Sequence, residues 1–97
     1  MFDKMKALMD MQNKIRQMKR ELENTNFEIQ SPDGLVKIAM NGSQEAKGVT
    51  ITRGLGEIDK QELEKAIKDA YNMAIKRAQD IAAAKMKDMT GLNLPGF

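Results

Sequence analysis

Residues 31–42 read SPDGLVKIAMNG and predict a strand held between two turns. Residues 31–34 are typical of a turn, because proline and glycine interrupt regular structure. From Leu35 to Asn41 the alternation predicts a strand with Val36, Ile38 and Met40 on one face and Lys37 and Asn41 on the other. Asn41-Gly42 is a turn dipeptide, since both residues tolerate positive φ, and the loop is expected to continue through residues 43–45.

Shorter apolar alternations flank this segment on both sides. Phe27 and Ile29 alternate with polar neighbours and predict a strand before it, and Val49 and Ile51 predict one after it. Residues 25–58 are therefore expected to form a small three-stranded antiparallel sheet.

The two ends of the chain have helical patterns. Residues 1–24 lack glycine and proline, and an apolar seam with 3-4 spacing runs through them: Leu8, Met11, Ile15, Met18 and Leu22. Residues 59–90 predict a longer helix that begins at the N-cap Asp59, carries Glu62 in a capping-box pattern and ends before Gly91. Residues 91–97 form a tail in which Pro95-Gly96 ends regular structure. The apolar stripe of the longer helix comprises Leu63, Ala66, Ile67, Ala70, Tyr71, Ala74, Ala78, Ile81 and Ala82.

The lengths of these elements predict an α+β homodimer. About 30 helical residues span ~45 Å, whereas a small sheet of short strands covers only ~20 Å. Since both apolar stripes continue past the sheet, we expect a second copy to cover them, so that residues 1–97 form one α-β-β-β-α domain, dimeric, with projecting helical arms. The residues expected in the core or dimer interface are Leu8, Met11, Ile15, Met18, Leu22, Val36, Ile38 and Met40, and Tyr71 is expected in the core.

Composition argues against catalysis and against membrane insertion. The 97 residues include no cysteine and no histidine, which removes the usual nucleophilic thiol, general base and metal ligands. The acids Glu57, Asp59, Glu62 and Glu64 surround a predicted helix start, where carboxylates are favoured for structural reasons. No apolar run approaches the ~20 residues of a membrane span. We expect an intracellular protein that is not an enzyme, with no cofactor, metal or small-molecule substrate.

The first helix carries an uneven distribution of charge. Between Met11 and Arg20 there are four basic residues and no acid. Basic side chains interleaved with amides suit a phosphate backbone, so the candidate DNA-binding residues are Lys6, Lys14, Arg16, Lys19 and Arg20. The alternative is an ordinary solvated face, because Asp10, Glu21 and Glu23 lie nearby.

The longer helix is a weaker candidate for DNA contact. Lys65, Lys76 and Lys87 share a face with Glu62, Asp69 and Asp80, which predicts a surface of intrahelical salt bridges. Basic residues near its end also suit the negative end of the helix dipole. The secondary DNA-binding candidates there are Lys76, Arg77, Lys85 and Lys87.

Several segments resemble one family in the same order. Residues 34–42, the Met- and Gln-rich first helix, residues 70–74 (AYNMA) and residues 91–97 (GLNLPGF) resemble the YbaB/EbfC nucleoid-associated proteins. The resemblance implies a bacterial DNA-binding protein of the cytoplasm and nucleoid, dimerised through its sheets, with helices projecting like tweezers and little sequence preference.

Two functions follow as hypotheses. The first is binding of double-stranded DNA by a homodimer whose basic arms contact phosphates. The second is a protein-interaction module, in which the Met-rich arms grip a partner helix or an unfolded segment.

Overall fold

The computed structural model describes residues 2–90, with side chains described for residues 3–89. The order of elements is two long helices on either side of a small sheet, within extents of 67 × 26 × 15 Å. The elements are α1 (Phe2–Glu23), β1 (Asn26–Gln30), β2 (Val36–Asn41), β3 (Ala46–Ile51), a 3-10 turn (Leu55–Glu57) and α2 (Lys60–Thr90). This confirms the predicted α-β-β-β-α fold. The predicted helix stop at Gly91 and the predicted end of regular structure at Pro95-Gly96 lie outside the described residues.

The sheet is antiparallel with strand order β1-β2-β3. Ile38 of β2 lies opposite Ile29 of β1 on one side and Val49 of β3 on the other. Directly opposed residues share a face of a sheet. The sheet therefore has one apolar face that continues across all three strands, composed of Phe27, Ile29, Val36, Ile38, Met40, Val49 and Ile51.

A stripe of alanines packs α2 onto this apolar face. Ala66, Ala70, Ala74 and Ala78 are buried against Leu35, Val36, Ile38 and Met40. Because an alanine ends at Cβ, the helix can approach the strands closely along the whole stripe. Among the larger neighbours of the stripe, Leu63 and Ile75 pack partly against the core, whereas Ile67 and Tyr71 are exposed, Tyr71 by 53%. The expectation of a core Tyr71 is therefore wrong for the single chain.

Local signals set the ends of the elements. The carboxylate of Asp59 accepts a hydrogen bond from the Glu62 N–H at 3.3 Å, as expected of an N-cap. Gly34 adopts φ +76° in the turn before β2. Beside it, Asp33 accepts hydrogen bonds from the Ser31 hydroxyl (2.7 Å) and the Leu35 N–H (3.0 Å), and these two donors lower the pKa of the Asp33 carboxyl.

The turn after β2 is present, but Asn41 and Gly42 occupy it for a different reason from the one predicted. Neither Asn41 nor Gly42 has positive φ, and the residue in that region is Gln44, at φ +64°. Gly42 instead lies against the end of α1, where a Cβ would come within 3.0 Å of the Leu22 carbonyl oxygen. A glycine is required there for close approach of two backbones.

Candidate nucleic-acid interface

The first helix is held at its C-terminal end and exposed along most of its length. Leu22 is buried beside the turn after β2, and Ile15 and Met18 are half-buried. Leu8 and Met11, which the sequence analysis placed in the same seam, are exposed, Leu8 by 65%. Every described side chain from residue 3 to residue 14 is exposed. We call residues 3–20 the arm.

The predicted DNA-binding cations all lie on the arm with their side chains exposed: Lys6, Lys14, Arg16, Lys19 and Arg20. Helical geometry puts Lys6, Arg16 and Arg20 on the side opposite the apolar seam, and it puts Lys14 and Lys19 on the two flanks. None of these residues forms an ion pair with any residue of the described part of the chain. Their charges are therefore available to an external anion.

Glu21, the residue after the arm, is engaged with α2. It lies 3.7 Å from Lys85 through one carboxylate oxygen, and it accepts a hydrogen bond from Gln17 through the other at 3.3 Å. This pairing joins α1 to α2, and Arg20 has no ion pair with an acid among residues 3–89.

The lysines of α2 behave differently from those of the arm. Lys65 pairs with Asp69 at 3.1 Å and Lys76 with Asp80 at 3.0 Å, which confirms the predicted intrahelical salt bridges. Lys85 pairs with Glu21, and Lys87 also has an interaction partner. Of the secondary candidates, Arg77 alone is exposed without an ion pair to a described residue.

Lys4 is a further exposed cation that the sequence analysis did not select. It lies on the seam side of the arm, where the spacing predicts contact with another helix rather than with a ligand. Because the structure leaves this part of the seam exposed, Lys4 adds to the positive charge of the arm.

A cleft of about 330 Å³ lies between α1 and α2 near the end of α2. Its lining combines two lysines, two acids and two methionines with one amide: Lys14, Gln17, Met18, Glu21, Lys85, Asp88 and Met89. The balanced charge gives this cleft no preference for an anion, and the charge that could attract one lies on the outer face of the arm.

The described residues contain neither a cluster of metal ligands nor a membrane-spanning helix. No group of three or more acidic, histidine or cysteine side chains is placed there to hold a metal ion, including the acids around the start of α2. Neither long helix, over its described length, is apolar enough to cross a membrane.

Comparisons with solved structures and with family models identify a similar fold and the family of the chain. The fold is similar to the crystal structure of the uncharacterised protein HP0035 from Helicobacter pylori, with a TM-score of 0.79 and 23% identity, over 93% of this chain and 97% of that one. The model of the YbaB/EbfC DNA-binding family matches residues 1–93. The chain belongs to this family. This family is DNA-binding and nucleoid-associated, and it is not known as an enzyme family.

Within this YbaB/EbfC protein the structure separates two sets of cations that look alike in the sequence. The cations of the arm are exposed and form no ion pair with a described residue, and the lysines of α2 are mostly paired. The local pattern predicted the α2 pairs, because lysine and aspartate are four residues apart. The pair of Glu21 and Lys85 joins residues far apart in the chain, and no local signal identifies it.

The position of the arm, away from the sheet, predicts different effects of removing charge from the two helices. Replacing Arg16→Ala and Arg20→Ala together should weaken binding to a DNA duplex by roughly tenfold or more, because each arginine is expected to form charge-assisted contacts to phosphates. The measurement is fluorescence anisotropy with a labelled duplex, after circular dichroism has confirmed that the variant is folded.

The matched control is Lys65→Ala with Lys68→Ala. It removes the same formal charge from the part of α2 that packs on the sheet, far along the chain from the arm. Its affinity should stay close to that of the parent protein. Equal losses in the two double variants would mean that only net charge matters, and would contradict an interface on the arm.

Proposed function

We propose that this protein binds duplex DNA as a homodimer, through phosphate contacts from its two arms and with little sequence preference. The observation that supports this most strongly is a set of exposed cations, without ion pairs among residues 3–89, on a helix that projects from the sheet. Membership of a DNA-binding family supplies the nature of the ligand. We further propose that the protein acts at the nucleoid, in the cytoplasm, without a cofactor.

The arm has the dimensions of a backbone-tracking element. Lys6 and Arg20 are fourteen residues apart, which corresponds to about 21 Å along a helix. Cations spread over this length can contact several successive phosphates, and arginine can bind a phosphate with two parallel hydrogen bonds. Contacts of this kind position a protein on DNA without distinguishing base pairs. We therefore expect low sequence preference, because the charged side chains of the arm suit phosphates rather than base edges.

The proposed dimer rests on apolar surface that the single chain leaves uncovered. Val49 and Ile51 belong to the apolar face of the sheet, but α2 packs over β1 and β2, and Val49 is 60% exposed. β3 is also an edge strand, whose unpaired backbone groups can bind another strand. A second copy seated here by two-fold symmetry would cover both features and bring two arms to one assembly.

A protein-interaction role remains the second candidate, and the exposed apolar side chains of the arm favour it. Met5, Leu8, Met9 and Met11 are all exposed. Methionines on a helix suit an adaptable apolar interface. Such binding would persist at high salt and would fail in Ile15→Asp.

The two candidates differ in their response to salt. If each arm engages three to five phosphates, the dimer engages ~6–10, and affinity for a duplex should fall by ~10³–10⁵ between 50 and 200 mM salt. Titration of two unrelated duplexes at several salt concentrations measures both the slope and the sequence preference. A flat salt response would contradict phosphate binding, and a large difference between the duplexes would contradict low specificity.

The dimer is tested by placing charge on the uncovered face of β3. Val49→Glu should shift the mass in solution from dimer to monomer, because burial of an unpaired carboxylate in the interface is unfavourable. Analytical ultracentrifugation at micromolar concentration measures this.

Gln30→Glu is the control for this variant, since it adds the same charge to the polar face of β1 at the other edge of the sheet. It should remain dimeric. A parent protein that is a stable folded monomer at micromolar concentration would overturn the proposed dimer.

A further inference from the structure

At the junction between α1 and the sheet, all of the terminal carbonyls of α1 accept hydrogen bonds. A helix leaves its last four carbonyls without intrahelical donors. In α1 those carbonyls belong to residues 20–23, and each one accepts a hydrogen bond. The donors are Asn24 N to Arg20 (3.1 Å), Thr25 Oγ1 to Glu21 (2.6 Å), Gly42 N to Leu22 (2.9 Å) and Asn41 Nδ2 to Glu23 (3.1 Å).

Two of these donors come from the turn after β2, which is distant in the sequence. Asn41 is fully buried and uses its whole side-chain amide. Its Nδ2 donates to the Glu23 carbonyl and to the Glu45 carboxylate (2.9 Å), and its Oδ1 accepts from the Ser43 and Glu45 N–H groups, both at 3.0 Å. The same side chain therefore shapes the turn and binds the end of α1.

Gly42 brings the two backbones into contact at this junction. Its N–H donates to the carbonyls of Leu22 and Thr25, at 2.9 and 3.0 Å. A Cβ built on Gly42 would lie 3.0 Å from the Leu22 carbonyl oxygen and 3.3 Å from the Leu22 Cα. Because these are backbone atoms of a helix, they cannot move aside without moving the helix.

We propose that the Asn41–Gly42 turn positions the DNA-binding arm: it sets the direction in which α1 leaves the sheet, and through that direction it controls DNA affinity without touching DNA. The proposal rests on the proposed function, since it assumes that the arms bind. The far half of the arm is exposed, so its direction is set at the junction and at the nearby Glu21–Lys85 pair. In a dimer both arms can engage one duplex only if each α1 leaves its sheet in a direction that faces the DNA.

The test is Gly42→Ala, with Gly56→Ala as the matched control. A Cβ on Gly56 meets no atom within 4 Å. The direction of the arm is measured by pulsed electron paramagnetic resonance between spin labels at Met9→Cys on the arm and Glu28→Cys on β1. The chain has no cysteine of its own, so labelling is specific. An excess of unlabelled chains restricts the signal to distances within one chain.

In Gly42→Ala we expect the distance distribution to shift or broaden, DNA affinity to fall by roughly tenfold or more, and the salt slope to fall toward that of one engaged arm. Gly56→Ala should match the parent in all three. If Gly42→Ala does not fold, Asn41→Asp combined with Glu45→Gln replaces it: the pair keeps both side-chain shapes and the net charge, removes the Nδ2 donor to the Glu23 carbonyl and should broaden the distribution with a smaller loss of affinity.

An unchanged distance distribution in the folded variant would overturn the positioning role. A changed distribution with the affinity and salt slope of the parent would also overturn it, because the direction of the arm would then be irrelevant to binding. Failure of the proposed function is a separate result, visible as parental DNA affinity in the arginine double variant while the distance measurement still reports on the junction.

Discussion

The small size of the sheet is the constraint from which the rest of the structure follows. Its strands have five or six residues, and their apolar face accommodates one helix, which packs closely because its contact stripe is alanine. α2 takes the part of the face over β1 and β2, and α1 does not pack across the sheet. The first helix is consequently attached by its end and by a limited contact with α2, and it presents most of its surface to solvent.

The effect of the charge pattern depends on which helix the fold exposes. An exposed arm is useful as a binding element if its charges are not neutralised from within, and the arm cations form no ion pair with a described residue. On α2, Lys65 and Lys76 pair with aspartates one turn away. Two helices of equal net formal charge therefore differ, because several lysines of α2 are paired whereas the arm can attract a polyanion. Two such arms on one dimer would multiply that attraction.

Much of the fold could be predicted because its signals are local. Alternation around Ile38, the turn at Gly34, the N-cap at Asp59 and the alanine spacing of α2 each specify one element, and the structure confirms them. The exposure of Tyr71 was not predicted, because helical periodicity places a residue on a stripe but does not say how wide the sheet beneath it is.

The sequence identified candidate residues for the site, but it did not predict how they are arranged in the tertiary structure. The arm cations stand out in the sequence, but the pair of Glu21 and Lys85 that joins α1 to α2 arises from tertiary packing. Likewise, the dipeptide Asn41-Gly42 signals a turn, while its contact with Leu22 arises from tertiary packing. Long-range contacts of this kind leave no trace in the spacing of residues along the chain.

We propose that the arm cations contact DNA, and NMR of the arginine side-chain Nε–Hε resonances during addition of a duplex tests this contact. The signals of Arg16 and Arg20 should shift or broaden while that of Arg53, in the loop after β3, stays in place. Perturbation of Arg53 with Arg16 and Arg20 unchanged would contradict it.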